Sequence, residues 1–270
     1  MSAVSTESLN QVEQVLVAQA TDNPTHLADE LFAVVDLIDS NGGFRRGLTD
    51  SSREASQRAG IARSVLGGKI SEAALTVVST AAEARWSSER DLADALETTA
   101  VTSVALSAEQ RGGVEALEQT VNELLTFINT VDASAEAQAA LADSRASKEA
   151  LKKLAVSLGG NAASAEGRLL LERVGSAPRG TTAARLANKF VEIIVKRQNR
   201  WIARVTSATA LTAEQTAKLQ GSLNTTYGKD LKLDITVDPA LLGGLRVQVG
   251  DEVIDGSLST KLSELGRAFA

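Results

Sequence analysis

The same helical pattern occurs twice in this chain, and that repetition limits the fold more than any other feature of the sequence. Residues 30–50, ELFAVVDLIDSNGGFRRGLTD, align with residues 123–143, ELLTFINTVDASAEAQAALAD. Leu31 falls opposite Leu124, Asp39 opposite Asp132, Leu48 opposite Leu141 and Asp50 opposite Asp143, an offset of 93 residues. Further on, SVLGGK (64–69) meets SLGGN (157–161), after which Arg85 and Leu92 face Arg179 and Leu186. Solenoid repeats are shorter than this, so the period predicts a duplicated helical domain. Each copy opens with an apolar stripe at helical spacing: Leu27, Leu31, Val34, Val35 and Ile38 in the first, Val121, Leu124, Leu125, Ile128 and Val131 in the second. A helix ending at a Gly pair, one after it, and another long helix complete the set. Gly67–Gly68 and Gly159–Gly160 read as C-cap breaks.

After the second copy the pattern changes. A helix carrying Leu186, Phe190, Ile193, Ile194 and Trp201 on one side is expected to run through KRQNRW (196–201) into IARVTSATALTAEQ. Thr212 with Gln215 forms a capping box for a helix that buries Leu219 and Leu223 and stops at Gly228. The segment 231–238 alternates, with Leu231, Leu233, Ile235 and Val237 expected inward. In VDPALLGGLRVQVGDEVIDGSL (237–258), Asp238–Pro239 fix a turn, and Gly243–Gly244 allow left-handed backbone or close approach. Leu245, Val247 and Val249 then read as a strand. Gly250–Asp251 turn into a short strand from Val253 to Asp255. Gly256 breaks it, and Ser257 or Ser259 caps a last helix bearing Leu258, Leu262, Leu265 and Phe269. The fold class expected is mostly α: tandem duplicated helical bundles over 1–115 and 116–202, then a small α/β domain over 203–270.

Composition fits that reading. Aromatics make up 3% of the 270 residues and there are 3 Pro, which favours slim Ala/Leu/Val-rich helices over a β-sandwich. The net charge of −6 argues against non-specific nucleic-acid binding, which is driven by neutralising phosphates. With no Cys there is no disulfide, thiolate nucleophile or Cys-ligated metal, as suits a reducing compartment. The opening segment has no basic region followed by an apolar core, so no signal peptide is expected. No apolar run reaches bilayer length, so any tie to a membrane is expected through partners.

Residues suited to chemistry are few. His26 is the only histidine and sits at a helix start, where a surface or capping role is expected; zinc bound by carboxylates alone would be poorly held. LGGK (66–69) lacks the spacing of a phosphate-binding loop. Asp251 and Asp255–Gly256 lack the alternating oxygen ligands of a calcium loop, having Val253 and Ile254 between them. Arg45–Arg46 and the Lys196, Arg197, Arg200, Arg204 series read as solvated helix faces before acidic-partner sites. Ser and Thr abound, yet no base is placed to activate one. No catalytic, cofactor-binding or metal-binding residue is assigned, and the chain is not expected to be an enzyme.

As a pattern, Val237, Asp238, Pro239, Leu241, Gly243, Gly244, then Asp255, Gly256 and Ser257 resembles the C-terminal signature of the delta subunit of F-type ATP synthases, the OSCP family. FRRGLTD (44–50) and VLGGKISEAALTVVSTAAEARW (65–86) are similar to that family's helical bundle. The extra bundle copy resembles the extended actinobacterial form, while NQVEQVLVAQA stands where the family commonly opens Tyr-Ala-x-Ala. The resemblance implies a non-catalytic peripheral-stalk subunit at the cytoplasmic face of the cell membrane. Its partners would be the alpha and beta subunits and the stalk's b subunit, with no cofactor and no nucleic acid. The bundle would grip the N-terminal helices of alpha subunits and the C-terminal domain would hold b, so that proton flux drives ATP synthesis. A rival reading is a free helical adaptor that docks signalling partners, which the duplication suits and the C-terminal signature does not.

Overall fold

The computed structural model describes residues 2–255 apart from 21, 163, 200, 201, 229, 230, 240, 242 and 251. The helices are α1 (Ala3–Gln19), α2 (Pro24–Ser40), α3 (Gly42–Thr49), α4 (Ala55–Leu66), α5 (Glu72–Glu83), α6 (Glu89–Asp132), α7 (Ala135–Leu141), α8 (Lys148–Leu158), α9 (Ala165–Ser176) and α10 (Ala183–Gln198). β1 (Ile202–Ser207), α11 (Ala213–Tyr227), β2 (Lys232–Val237), β3 (Leu245–Val249) and β4 (Glu252–Asp255) follow. The chain divides into two compact units, residues 1–194 and 195–270.

The caps explain where the helices start. Asn23 accepts from the His26 N–H at the head of α2, with Pro24 in the first turn where its missing N–H costs nothing. Asn41 and Ser134 do the same for α3 and α7, accepting from Phe44 and Ala137. Ser71 and Ser164 cap α5 and α9. At the other end of α5, the buried Arg58 guanidinium donates to the Ala82 and Glu83 carbonyls at 2.8 Å, satisfying groups that the helix end orphans.

The duplication is carried by matching elements. α2, α3, α4 and α5 correspond to the second arm of α6, α7, α8 and α9, and the first arm of α6 to α10. Leu31 and Leu124 are both fully buried, as are Leu48 and, nearly so, Leu141. Gly68 and Gly160 take up φ of 71° and 72° at the two Gly breaks. One hydrogen-bonded device also recurs. Glu30 accepts from the Ser71 N–H at 2.7 Å and from its hydroxyl, and Glu123 accepts from the Ser164 N–H at 3.1 Å and from its hydroxyl. In each copy a carboxylate of the second helix thus holds the cap of the fifth, where negative charge faces a helix N-terminus.

The sequence placed the end of one copy and the start of the next in separate helices. They are the two arms of α6, broken at Gly112 (φ −167°, ψ 29°) and Gly113 (φ 59°, ψ −139°). Only glycine adopts the second conformation without strain. Between Leu92 and Ala108 every residue except Asp94 and Ser107 is buried. A helix buried all round has neighbours on all sides. Shifted by the repeat offset, α1 falls on this same arm. The arm therefore closes the first copy as its last helix and opens the second as its first.

The α10 helix ends at Gln198, short of the expected 201, and IARVTS, where the sequence pattern changes, forms β1, a strand the spacing did not assign. The Ala203, Val205, Ser207 alternation that marks this strand is short, and three of its outward positions are mixed in character, so helical periodicity upstream masked it. Trp201 and the last apolar stripe, Leu258 to Phe269, lie outside the described residues.

Candidate functional site

The motif-bearing end is built around β1. Strand order is β2-β1-β3-β4, with β1 parallel to β2 and antiparallel to β3, and β3 antiparallel to β4. The β1–α11–β2 crossover lays α11 on one face. Its capping box is closed: Thr212 N–H donates to Gln215 Oε1 at 2.9 Å and Gln215 N–H to Thr212 Oγ1 at 3.2 Å. Gly228 ends the helix in the left-handed region. Ala203, Val205, Leu223, Leu231, Val247 and Val249 form the core, with Leu211, Leu219, Leu233, Ile235 and Leu245 packed half-buried against it. Val237 was expected inward but is exposed, because it lies at the end of edge strand β2 past the cover of α11.

The signature residues shape the loop that carries the chain from edge strand β2 to inner strand β3. Asp238 N–H donates to the Ser207 carbonyl at 2.8 Å, extending the β1–β2 ladder, and the Leu241 N–H closes a turn onto the Asp238 carbonyl across Pro239. Gly243 and Gly244, at φ 124° and 85°, then swing the chain from β2 across β1 into β3. Asp255 pairs through β4 with Arg246. Gly256 and Ser257, like Asp251, lie outside the described residues. The Gly-Gly loop is one wall of an open cleft of about 580 Å³, whose other walls are Leu211, Gln215, Leu219, Ser222 and Leu245. Leucines half-buried around a glycine wall leave apolar area for a partner side chain.

The helical body holds a second feature, absent from the sequence reading: charged groups buried where the copies meet. Glu97, 1% exposed, faces Arg173 Nη2 at 3.6 Å, Arg179 Nη1 at 3.2 Å and Lys189 Nζ at 3.1 Å. Arg173 also donates to Asp36, and Arg179 donates to Asp39 and meets Asp94 at 3.0 Å. Burial disfavours the charge on Arg179, but the Asp39 hydrogen bond and the Glu97, Asp39 and Asp94 charges outweigh it and raise its pKa. The Arg173 guanidinium lies 4.9 Å over the Phe32 ring, which tilts against Phe190 at 6.4 Å. Asp36 and Asp39 come from the first copy, Asp94 and Glu97 from the shared arm of α6, and Arg173, Arg179 and Lys189 from the second copy. The repeat alignment set Arg179 opposite Arg85 without hinting at this, because partners 76 and more residues apart leave no local spacing.

Other singled-out residues serve the fold. His26 lies in the first turn of α2, its ring 3.6 Å from Glu30. Lys69 Nζ donates to the Val65 carbonyl at the end of α4. Arg45 pairs with Glu89 at 3.1 Å, and Arg204 donates to Asn199. Arg197 is buried and engaged, not a solvated face. Among the described residues no group of His and carboxylates could hold a metal ion, and no helix is long and apolar enough to cross a membrane.

The family model described as ATP synthase delta (OSCP) subunit matches residues 98–269, beginning inside the shared arm of α6 and running through the second copy and the α/β end. Proteins named ATP synthase subunit delta are similar over much or all of the chain. The one from Kocuria rhizophila is 48% identical over 239 residues, 88% of each chain. Those from Arthrobacter sp. and Renibacterium salmoninarum are each 43% identical over 100% of both chains. The full-length matches take in the first copy as well. The chain belongs to the ATP synthase delta (OSCP) subunit family.

Proposed function

We infer that this chain is a stator subunit of an F-type ATP synthase. It links the catalytic head to the peripheral stalk so that the head cannot turn with the rotor and proton flux is converted into ATP. Family membership along the whole chain carries the reading, and it leaves no ground for a free adaptor. The helical body, divided as 1–115 and 116–202 about the Gly112–Gly113 break, engages the N-terminal helices of alpha subunits at the top of the alpha/beta head. The α/β end, 203–270, holds the b subunit, with Asp238, Pro239, Gly243 and Gly244 of the signature shaping the seat. The cleft walled by Gly243, Gly244, Leu211, Leu219 and Leu245 supports that assignment, since a helix from b presents side chains to such a groove. The chain performs no catalysis and works at the cytoplasmic face of the membrane, held there by the complex. Two modest contacts in one chain give avidity above either alone, and a clamp under load depends on slow release.

Deletion of residues 203–270 tests the reading in reconstituted membranes. ATP hydrolysis by the detached head persists, while retention of the head and proton-driven synthesis are lost. Full coupling with the shortened chain would overturn the stator role of the α/β end.

A further inference from the structure

Asn41 is the only asparagine in the chain that a glycine follows, Gly42. The pair forms the corner between α2 and α3. Asn41 ends the first helix and caps the second, with extended backbone at φ −125° and ψ 92°. It is exposed, so water and hydroxide reach it. Its carboxamide oxygen accepts from the Phe44 N–H at 2.9 Å, which draws electrons from Cγ and favours negative charge on that oxygen. Gly42 is the first residue of α3, where the helical ladder offers its N–H no partner, and without a Cβ its nitrogen is unscreened. An electrophilic side-chain carbon next to an open amide nitrogen, in solvent, is what succinimide formation requires. Other asparagines lack one of these conditions. Asn23 precedes Pro24, whose nitrogen has no proton to lose, and Asn129 and Asn188 lie inside α6 and α10 before residues that carry side chains. In the second copy the matching position is Ser134, which caps α7 with a hydroxyl and has no carboxamide.

We propose that Asn41 is a deamidation site, and that its isoaspartyl product loosens the contact between the two copies. The Gly42 nitrogen bonds to Asn41 Cγ, the Cγ–Nδ2 bond breaks, and ammonia leaves with the proton that Gly42 gives up. Water then adds to one carbonyl of the succinimide ring. Opening at Cγ leaves an ordinary aspartate at position 41. Opening at the other carbonyl sends the main chain through Cβ and Cγ, an isoaspartate. The aspartate keeps the cap, since a carboxylate is favoured at a helix N-terminus. The isoaspartate does not. It lengthens the main chain by a methylene, and it turns the carbonyl that accepts from the Arg45 N–H at 3.0 Å into a free carboxylate. Two ion pairs flank that corner: Asp39 accepts from Arg179 of the second copy, and Arg45 meets Glu89 of α6 at 3.1 Å. A displaced corner moves both.

To test this, the full chain is held folded in mildly alkaline and mildly acidic buffer, then digested and mapped by mass spectrometry with fragmentation that separates aspartate from isoaspartate. Conversion is expected to concentrate at Asn41 and to run faster in the alkaline sample, because the Gly42 amide proton must be lost. A Cβ at Gly42 would meet only Arg45 Nη2, at an ordinary 3.6 Å, so Gly42→Ala fits the fold and is expected to lose the reaction. Asn41→Ser keeps a cap of the kind Ser134 provides and is expected to lose it too. Chain enriched in isoaspartate at position 41 is expected to melt below freshly prepared chain, while Asn41→Asp melts no lower. Asn41 left intact in the folded chain, under conditions that convert it in denaturant, overturns the site. Isoaspartyl chain that melts with the fresh chain overturns the loosening.

Discussion

A helix shared by both copies should make them melt together, and a matched pair of substitutions tests it. Leu31 in α2 and Leu124 in the second arm of α6 are equivalent residues, both fully buried, in different copies. Truncating such a leucine to alanine loses its transfer free energy and leaves a cavity, about 3 kcal/mol in the usual range of 2–5. For a unit of this size each kcal/mol lowers the melting temperature by roughly 2–4 °C, so each substitution should shift it by about 6–12 °C. If the first arm of α6 is buried from both sides, neither copy keeps its fold once the other is lost. Differential scanning calorimetry of Leu31→Ala and Leu124→Ala should then show one helical transition, moved by similar amounts. Two helical transitions, with each substitution lowering only its own, would refute the shared-helix reasoning.

Arg173→Met leaves Glu97 with Arg179 and Lys189 but removes the charge facing it and Asp36, and should cost about 3–5 kcal/mol of helical-body stability by chemical denaturation. Adding Glu97→Gln should recover part of that loss, because the buried charge left behind is the costly group; strictly additive costs would argue against coupling. Arg58→Ala strips the carbonyl end of α5 of its donors and should cost about 1–3 kcal/mol, read in the same melt. Leu223→Ala, under the sheet, should lower the α/β unit's stability by about 3 kcal/mol and leave the helical transition in place.

What the sequence disclosed and what it hid follow from the range of the interactions. Stripes, caps and glycine breaks are local. The Thr212–Gln215 box, the Gly228 stop, the β3 alternation and the paired Leu-Gly-Gly turns therefore stand in the structure where spacing put them. Strand β1 was hidden because six residues with two buried aliphatics give a weak period next to a strong helical one. The sharing of α6 was hidden for a different reason. Its first arm is rich in Ala, Thr and Ser, so all-round burial comes from small residues and leaves no broad apolar face to notice. The buried ion cluster is non-local altogether. Each member reads as an ordinary surface charge until α9, α10 and the loop between them fold back on α2 and α6.

That cluster also bears on how a duplicated body withstands load. Two copies joined by a flexible linker would let the second swing, and a contact made through one copy would not hold the other. Here the copies share one helix and meet across charges that cannot separate without either gaining water or staying unpaired. Buried pairs add little net stability over apolar packing, but breaking one is costly, and their geometry admits one register. Such a joint resists shear more than it deepens the fold. A hold on either copy would then restrain the whole helical body.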